Sequence, residues 1–185
     1  MTKSPARLIS FISIAIAINL IGANLALFLR LPIYLDTIGT LLIAVILGPW
    51  YAASTAFLSA LINWMTTDIF SLYYSPVAIV VAIITGILIK RNCKPSSLLW
   101  KSLIISLPGT IIASVITVIL FKGITSSGSS IIAQFLHGIG LDMTSSLILV
   151  QVGTDYIDRL ISLILVFSTI TLLKKHSPNL INQRF

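Results

Sequence analysis

The sequence predicts an all-α integral membrane protein: a six-helix transmembrane bundle with cytoplasmic N- and C-termini and a partly helical external or re-entrant segment at about 131–150. Three observations predict it. Of 185 residues, 57% are hydrophobic and only 9% charged, where soluble domains carry about 25% charged residues. Long apolar runs recur along the whole chain, separated by short polar or Gly/Ser-rich stretches. The basic residues sit at the ends of those runs, as expected where Lys and Arg are kept on the cytoplasmic side of a bilayer.

This composition excludes a soluble enzyme, a secreted disulfide scaffold and a disordered tail. The net charge of +7 would suit a nucleic-acid partner, but the basic residues form no patch, so topology explains them better and no nucleic acid is expected. Cys93 is the single cysteine, which rules out an intrachain disulfide and a thiolate metal cluster. Arg91 and Lys94 beside it would lower its thiol pKa if it were reactive; otherwise it is a loop cysteine.

The elements follow in order. Lys3 and Arg7 precede an apolar stretch from Leu8 to Leu29, longer than the ~7–15 residues of a cleavable signal core. It reads as a retained first span. The next run, 36–48, is parted from 50–67 by Gly48-Pro49, a pair that turns the chain. A loop from Asp68 to Ser75 leads to 76–89. Then come 98–121, a Gly/Ser-rich loop at 122–130, a run at 131–150 and a last span at 154–173. All belong to one membrane domain, 1–185.

Seven runs pose a parity question that charge resolves. If 131–150 does not cross, Lys3, Arg7, Lys90, Arg91, Lys94, Lys101, Lys174, Lys175 and Arg184 are all inside, and only Arg30, Lys122 and Arg159 lie outward. That run also carries Gln134, His137, Asp142 and three hydroxyl residues, costly to expose to lipid. In this topology all five acids, Asp36, Asp68, Asp142, Asp155 and Asp158, fall at or near the outer face. They serve either as helix N-caps, which suits Asp36 and Asp155 ahead of apolar runs, or as an acidic cup open to the outside.

Catalytic chemistry is sparse. The chain has no Glu, no His-Glu-x-x-His, no nucleophile elbow and no phosphate loop. His137 with Asp142 is too little for a metal site, so no metal, catalytic residue or cofactor is expected. Active transport would need energy from another subunit or an ion gradient. Small residues repeat every fourth position at Ala52, Ala56 and Ala60 and at Ala78, Ala82 and Gly86; such stripes bring helices close, within the chain or against a partner. Asn19 and Asn24 in the first span should face protein or a cavity.

The run Arg30 to Thr40, continuing through Leu47-Gly48-Pro49, resembles the substrate-binding S components of energy-coupling factor (ECF) vitamin transporters. So do the Gly/Ser stretch 123–130 and Thr154 to Ser162 opening the last helix. The segment after Arg30 is also similar to biotin-specific S components, which the C-terminal third does not follow. The resemblance implies capture of a water-soluble vitamin or related micronutrient at the outer face of a prokaryotic plasma membrane. It implies docking on a transmembrane coupling subunit served by two cytoplasmic ATPases, which alone use ATP. Family docking uses an Ala-x-x-x-Ala pair in the first helix, matched here by Ser13 and Ala17. Family sites lie in the outer half among the last three helices and the loops above them. That maps substrate binding to Asn63, Trp64, Asp68, Tyr73, Tyr74, Gln134, His137, Asp142, Asp155, Tyr156 and Asp158. Trp64, Tyr73 and Tyr74 serve equally as an interfacial aromatic belt.

The alternative is a self-sufficient secondary transporter or channel, expected to show an inverted repeat or a charge deep in a span. A membrane scaffold would have no use for a polar cup, and an enzyme lacks its acid–base residues.

Overall fold

The computed structural model describes residues 5–90, 93 and 95–176, and every regular element among them is helical. The helices are α1 (Pro5–Phe28), α2 (Ile38–Ile46), α3 (Pro49–Thr66), α4 (Ser75–Leu88), α5 (Leu98–Phe121), α6 (Gly128–Gly138) and α7 (Met143–His176), with a 3-10 turn at Pro95–Ser97. Lys3, Arg91, Lys94 and Arg184, which entered the charge reading, lie outside the described residues.

Three helices, α1, α5 and α7, are long and apolar enough to cross a membrane. Their outward faces are apolar: Ile14, Ile21 and Leu25 on α1, Ile104, Ile111, Val115 and Ile119 on α5, and Ile164 and Leu165 on α7 are all exposed. In water such faces would be an aggregation surface; in lipid they are the solvated side.

Two segments differ from the sequence expectation. The run at 36–48 holds only the nine residues of α2, about 14 Å at 1.5 Å per residue. That is less than half of a ~30 Å hydrocarbon core, so α2 cannot cross alone. It is stopped by Gly48, whose φ of +100° suits glycine, and Pro49 then opens α3 from its first turn. The region 131–150 is not one segment. It contains most of α6, a turn through Gly140 at φ +109°, and the first two turns of α7. The last helix therefore starts at Met143 rather than near 154 and runs 34 residues without a break.

Neighbours in space are α1, α2 and α3, then α3 with α4, α4 with α5, α5 with α7, and α6 with α7, while α2 also touches α4 and α7. α2 is thus wrapped on all sides, which explains why seven of its nine residues are buried. Two apolar clusters hold it. Leu41 and Val45 join Val81, Ile105, Leu163, Val166 and Ile170. Ile43 and Ala44 join Ala15, Ala52, Ala56 and Ala82.

The small-residue stripes pack inside the chain: Ala52, Ala56 and Ala82 are buried. Gly86 sits where any Cβ would fall 2.7 Å from the Pro49 Cα, so α3 and α4 meet backbone to backbone. Ser13 and Ala17 instead lie exposed on α1.

The two ends of the bundle differ. Pro49 lies against Gly86 near the end of α4, and Leu98 and Leu99 at the start of α5 line a groove with Thr171 and Lys174 near the end of α7. Lys90, Lys101, Lys174 and Lys175 therefore gather at one end. The connections at 29–37, 67–74 and 122–127 form the other.

Candidate binding cavity

Polar residues of this hydrophobic chain converge on one region, beginning with Asn19 in mid-α1. Its Oδ1 accepts from the backbone N–H groups of Gly39 (2.7 Å) and Thr40 (3.3 Å), and its Nδ2 donates to Thr40 Oγ1 (2.8 Å) and Ser59 Oγ (3.0 Å). The first N–H groups of a helix have no partner within it. Thr37, the N-cap of α2, supplies no side-chain cap, so Asn19 caps α2 from another helix.

The segment leading into α2 is held from α7. Asp158 Oδ1 accepts from the N–H groups of Tyr34 (3.1 Å) and Leu35 (2.9 Å), which fixes Leu35 at φ +52°. Asp158 Oδ2 makes no hydrogen bond but lies 3.3 Å from Arg159 Nη1, and Arg159 also donates to Thr37 Oγ1. Both charged side chains are buried. The backbone here leaves no slack: a Cβ on Gly22 of α1 would collide with the Leu35 carbonyl.

A polar seam continues between α5 and α7. Thr110 donates to Asp155 Oδ2 (2.7 Å), Ser114 to Gln151 Oε1 (2.6 Å), and Gln151 Nε2 to Thr117 Oγ1 (3.0 Å). Thr117 Oγ1 meets Tyr74 OH at 2.6 Å. Thr110 stands at the middle of α5, so Asp155 lies at mid-depth in the bundle. The expectation that all acids, and Arg159, sit near the outer face is corrected for Asp155 and for Asp158 and Arg159, which lie nearly a turn further along α7. The hydroxyl partner of Asp155 and the α5 surface allow a carboxylate deeper than a lipid-facing position would.

These groups surround a set of adjoining cavities between α1, the 31–37 segment, α3 and the 68–74 loop. Two have volumes of about 530 Å³ each, counting their open mouths, and share Ala23, Asp36, Asn63, Asp68, Ser71 and Tyr74. A third of about 390 Å³ adds Thr37, Val77 and Arg159 and again includes Asp36 and Tyr74. Tyr34 lines two of the three; its hydroxyl pairs with Ser129 Oγ at 3.0 Å, and burial, reinforced by Asp155, pushes its pKa well above the usual tyrosine range.

Of the residues expected to bind substrate, the structure places Asn63, Asp68 and Tyr74 on the cavity wall. Asp155 and Asp158 stand behind it, tied to Thr110 and to the 34–35 backbone. The others lie elsewhere. Trp64 is exposed on α3, and Tyr73 is half exposed, with its ring edge-on to Phe121 at 5.4 Å. Gln134 and His137 are on the exposed side of α6, His137 Nδ1 lying 2.8 Å from the Leu141 carbonyl oxygen. Asp142 accepts from the N–H groups of Thr144 and Ser145 (3.1 and 3.2 Å) and caps α7. Among the acids, capping thus falls to Asp142, whereas Asp36 does not cap α2, which Asn19 caps instead, and Asp155 is mid-helix. Tyr156, half-buried on α7, lines none of the three cavities.

The cavity therefore lies among the first four helices with α7 as its back wall, not among the last three helices. Tyr34 and Arg159 are not among the residues the sequence points to as binding, and Asp36 enters there only as a cap or as part of the acidic cup. The signal for Arg159 was its place beside Asp158 inside an otherwise apolar helix, where charge is expensive. Cys93 Sγ lies 2.7 Å from Lys101 Nζ at the far end, away from this cavity. Among the described residues no group of three metal-ligating side chains converges. Compared with known proteins, the chain matches no protein-family model, no curated protein and no solved structure.

Proposed function

We propose that this chain is the substrate-capturing S component of an ECF-type importer, binding a water-soluble vitamin or related micronutrient at the outer face of a prokaryotic plasma membrane. The observation that carries this reading is the polar cavity at the end of the bundle opposite the gathered lysines. Under the positive-inside rule, the lysine end faces the cytoplasm, both termini are inside, and the cavity opens outward. Six membrane segments then make up the bundle, α2 and α4 acting as short inner segments within it. The chain is a binding subunit rather than an enzyme, and ATP is used by two cytoplasmic partners through a coupling subunit.

Ser13 and Ala17 support the docking part of this reading, because they form a small-residue surface on α1 that no other described helix covers. Uptake into cells carrying an ECF coupling subunit and its ATPases tests the proposal. The chain should confer vitamin uptake that stops when the ATPases are inactivated by substitution in their phosphate loops. Uptake unaffected by that inactivation would overturn it.

A second reading, a self-sufficient carrier, is favoured by one observation: Asp155, Asp158 and Arg159 lie buried midway along α7. Charges there are the mark of ion-coupled carriers. Proteoliposomes holding this chain alone separate the two, since only a self-sufficient carrier moves solute without partners.

A further inference from the structure

We propose that the cavity lined by Tyr34, Asp36 and Tyr74 selects a compact organic cation, with a protonated nitrogen seated against the Asp36 carboxylate; this rests on reading the cavity as the capture site. The inference comes from asking which charges of the site are already answered. Asp68 is: its oxygens accept from Phe70 N–H (3.2 Å), Ser71 Oγ (3.3 Å) and Ser126 Oγ (3.0 Å). Asp155 has Thr110, and Asp158 has two backbone N–H groups and Arg159. Asp36 lines all three cavities, yet its Oδ1 is buried and has no hydrogen-bond partner.

The one buried cation of the region makes no hydrogen bond to Asp36 and acts on it only through space. Arg159 is held by Asp158 and Thr37, and Asp158 contributes the only ion pair among the described residues. Asp36, Asp155 and Asp158 thus share one guanidinium. A buried acceptor without a donor costs about 1–3 kcal/mol, more when charged. An anionic ligand would add a further negative charge to this region. A neutral one would leave the excess in place. A ligand N⁺–H supplies the missing donor and the missing charge together. Tyr34 and Tyr74 line the same cavities as Asp36, and an aromatic ring within ~6 Å of a cation attracts it. No third metal-ligating side chain joins among the described residues, so the donor set suits an organic ammonium or ring cation rather than a bare metal ion.

The test uses the full chain in detergent and a binding panel sorted by charge. Thiamine and pyridoxamine carry the cationic nitrogen, pyridoxine and riboflavin are neutral, and nicotinate, biotin and pantothenate are anions. A cation should bind saturably and more tightly than every neutral or anionic compound. Asp36→Asn should weaken that binding about 10- to 100-fold, the range for a charged hydrogen bond, and Asp36→Glu should restore part of it. The melting temperature of Asp36→Asn without ligand should not fall, since the amide keeps the shape and removes an unanswered charge. Tightest binding by an anion or neutral compound, absence of binding by either cation, or equal cation affinity in folded Asp36→Asn would each overturn the proposal. The panel on the unaltered chain decides the matter even if the variant does not fold. The capture reading fails separately: ATPase-driven uptake of an anion would spare it and sink the cation proposal, while cation binding without ATPase-driven uptake would do the reverse.

Discussion

At the residue scale, the fold depends on a few polar side chains that each hold backbone from a different element. Asn19 is the clearest case, since it satisfies two orphan N–H groups of α2 and two hydroxyls at once. Asn19→Leu should destabilise the chain by about 2–4 kcal/mol, because buried donors are left unpaired; thermal unfolding in detergent reads this out. The Asp158–Arg159 pair is the second case. Removing one partner of a buried ion pair costs about 3–5 kcal/mol, while replacing both is far milder. Asp158→Asn and Arg159→Met should therefore each be severe, and the double variant clearly less severe than their sum. Additive effects would mean that the 34–37 backbone, rather than the charge pair, sets the cost.

At the scale of elements, close approach decides what each position tolerates. Gly86 and Gly153 are both helical glycines, but a Cβ at Gly86 meets Pro49 backbone, while at Gly153 nothing lies within 4 Å. Gly86→Ala should lose about 1–3 kcal/mol through overpacking, and Gly153→Ala should gain about 0.5–1 kcal/mol of helix propensity. Paired melting curves of the two variants check both signs. Much of this layer is legible in the sequence. α5 has the bounds of its apolar run, and the Gly48-Pro49 turn parts α2 from α3 where that pair stands. The last helix was harder to read because Thr154 and Asp155 interrupt its apolar run. Their polarity marks a helix face instead of an end: Gln151, Asp155, Asp158, Arg159 and Ser162 recur at helical spacing, and all are buried. The turn ahead of α7 is set by Gly140, whose positive φ has no signature in hydropathy.

At the scale of the whole molecule, the polar residues are legible in the sequence but their meeting place is not. The separation of basic and polar ends follows from counting charges along the chain. Which helices enclose the cavity depends on α2 being swallowed by its neighbours, and that is a matter of packing. Asp36 gained its place there through contacts with residues more than a hundred positions away, through the Asp158 tether on 34–35. The exposed Ser13–Ala17 face gives the matching prediction for partners. Ala17→Trp should abolish uptake while leaving ligand affinity within about twofold and the melting temperature unchanged, since nothing among the described residues covers that position. Loss of binding together with uptake would make the face part of the fold.

The central claim is that the cavity captures a small solute with high affinity in this chain alone. It is tested most directly by purifying the chain without partners, denaturing it, and identifying by mass spectrometry what is released. A stoichiometric, vitamin-like compound, lost from the Asp36→Asn preparation, is the predicted result. A preparation that releases nothing and fails to bind any compound of the charge-sorted panel would contradict it.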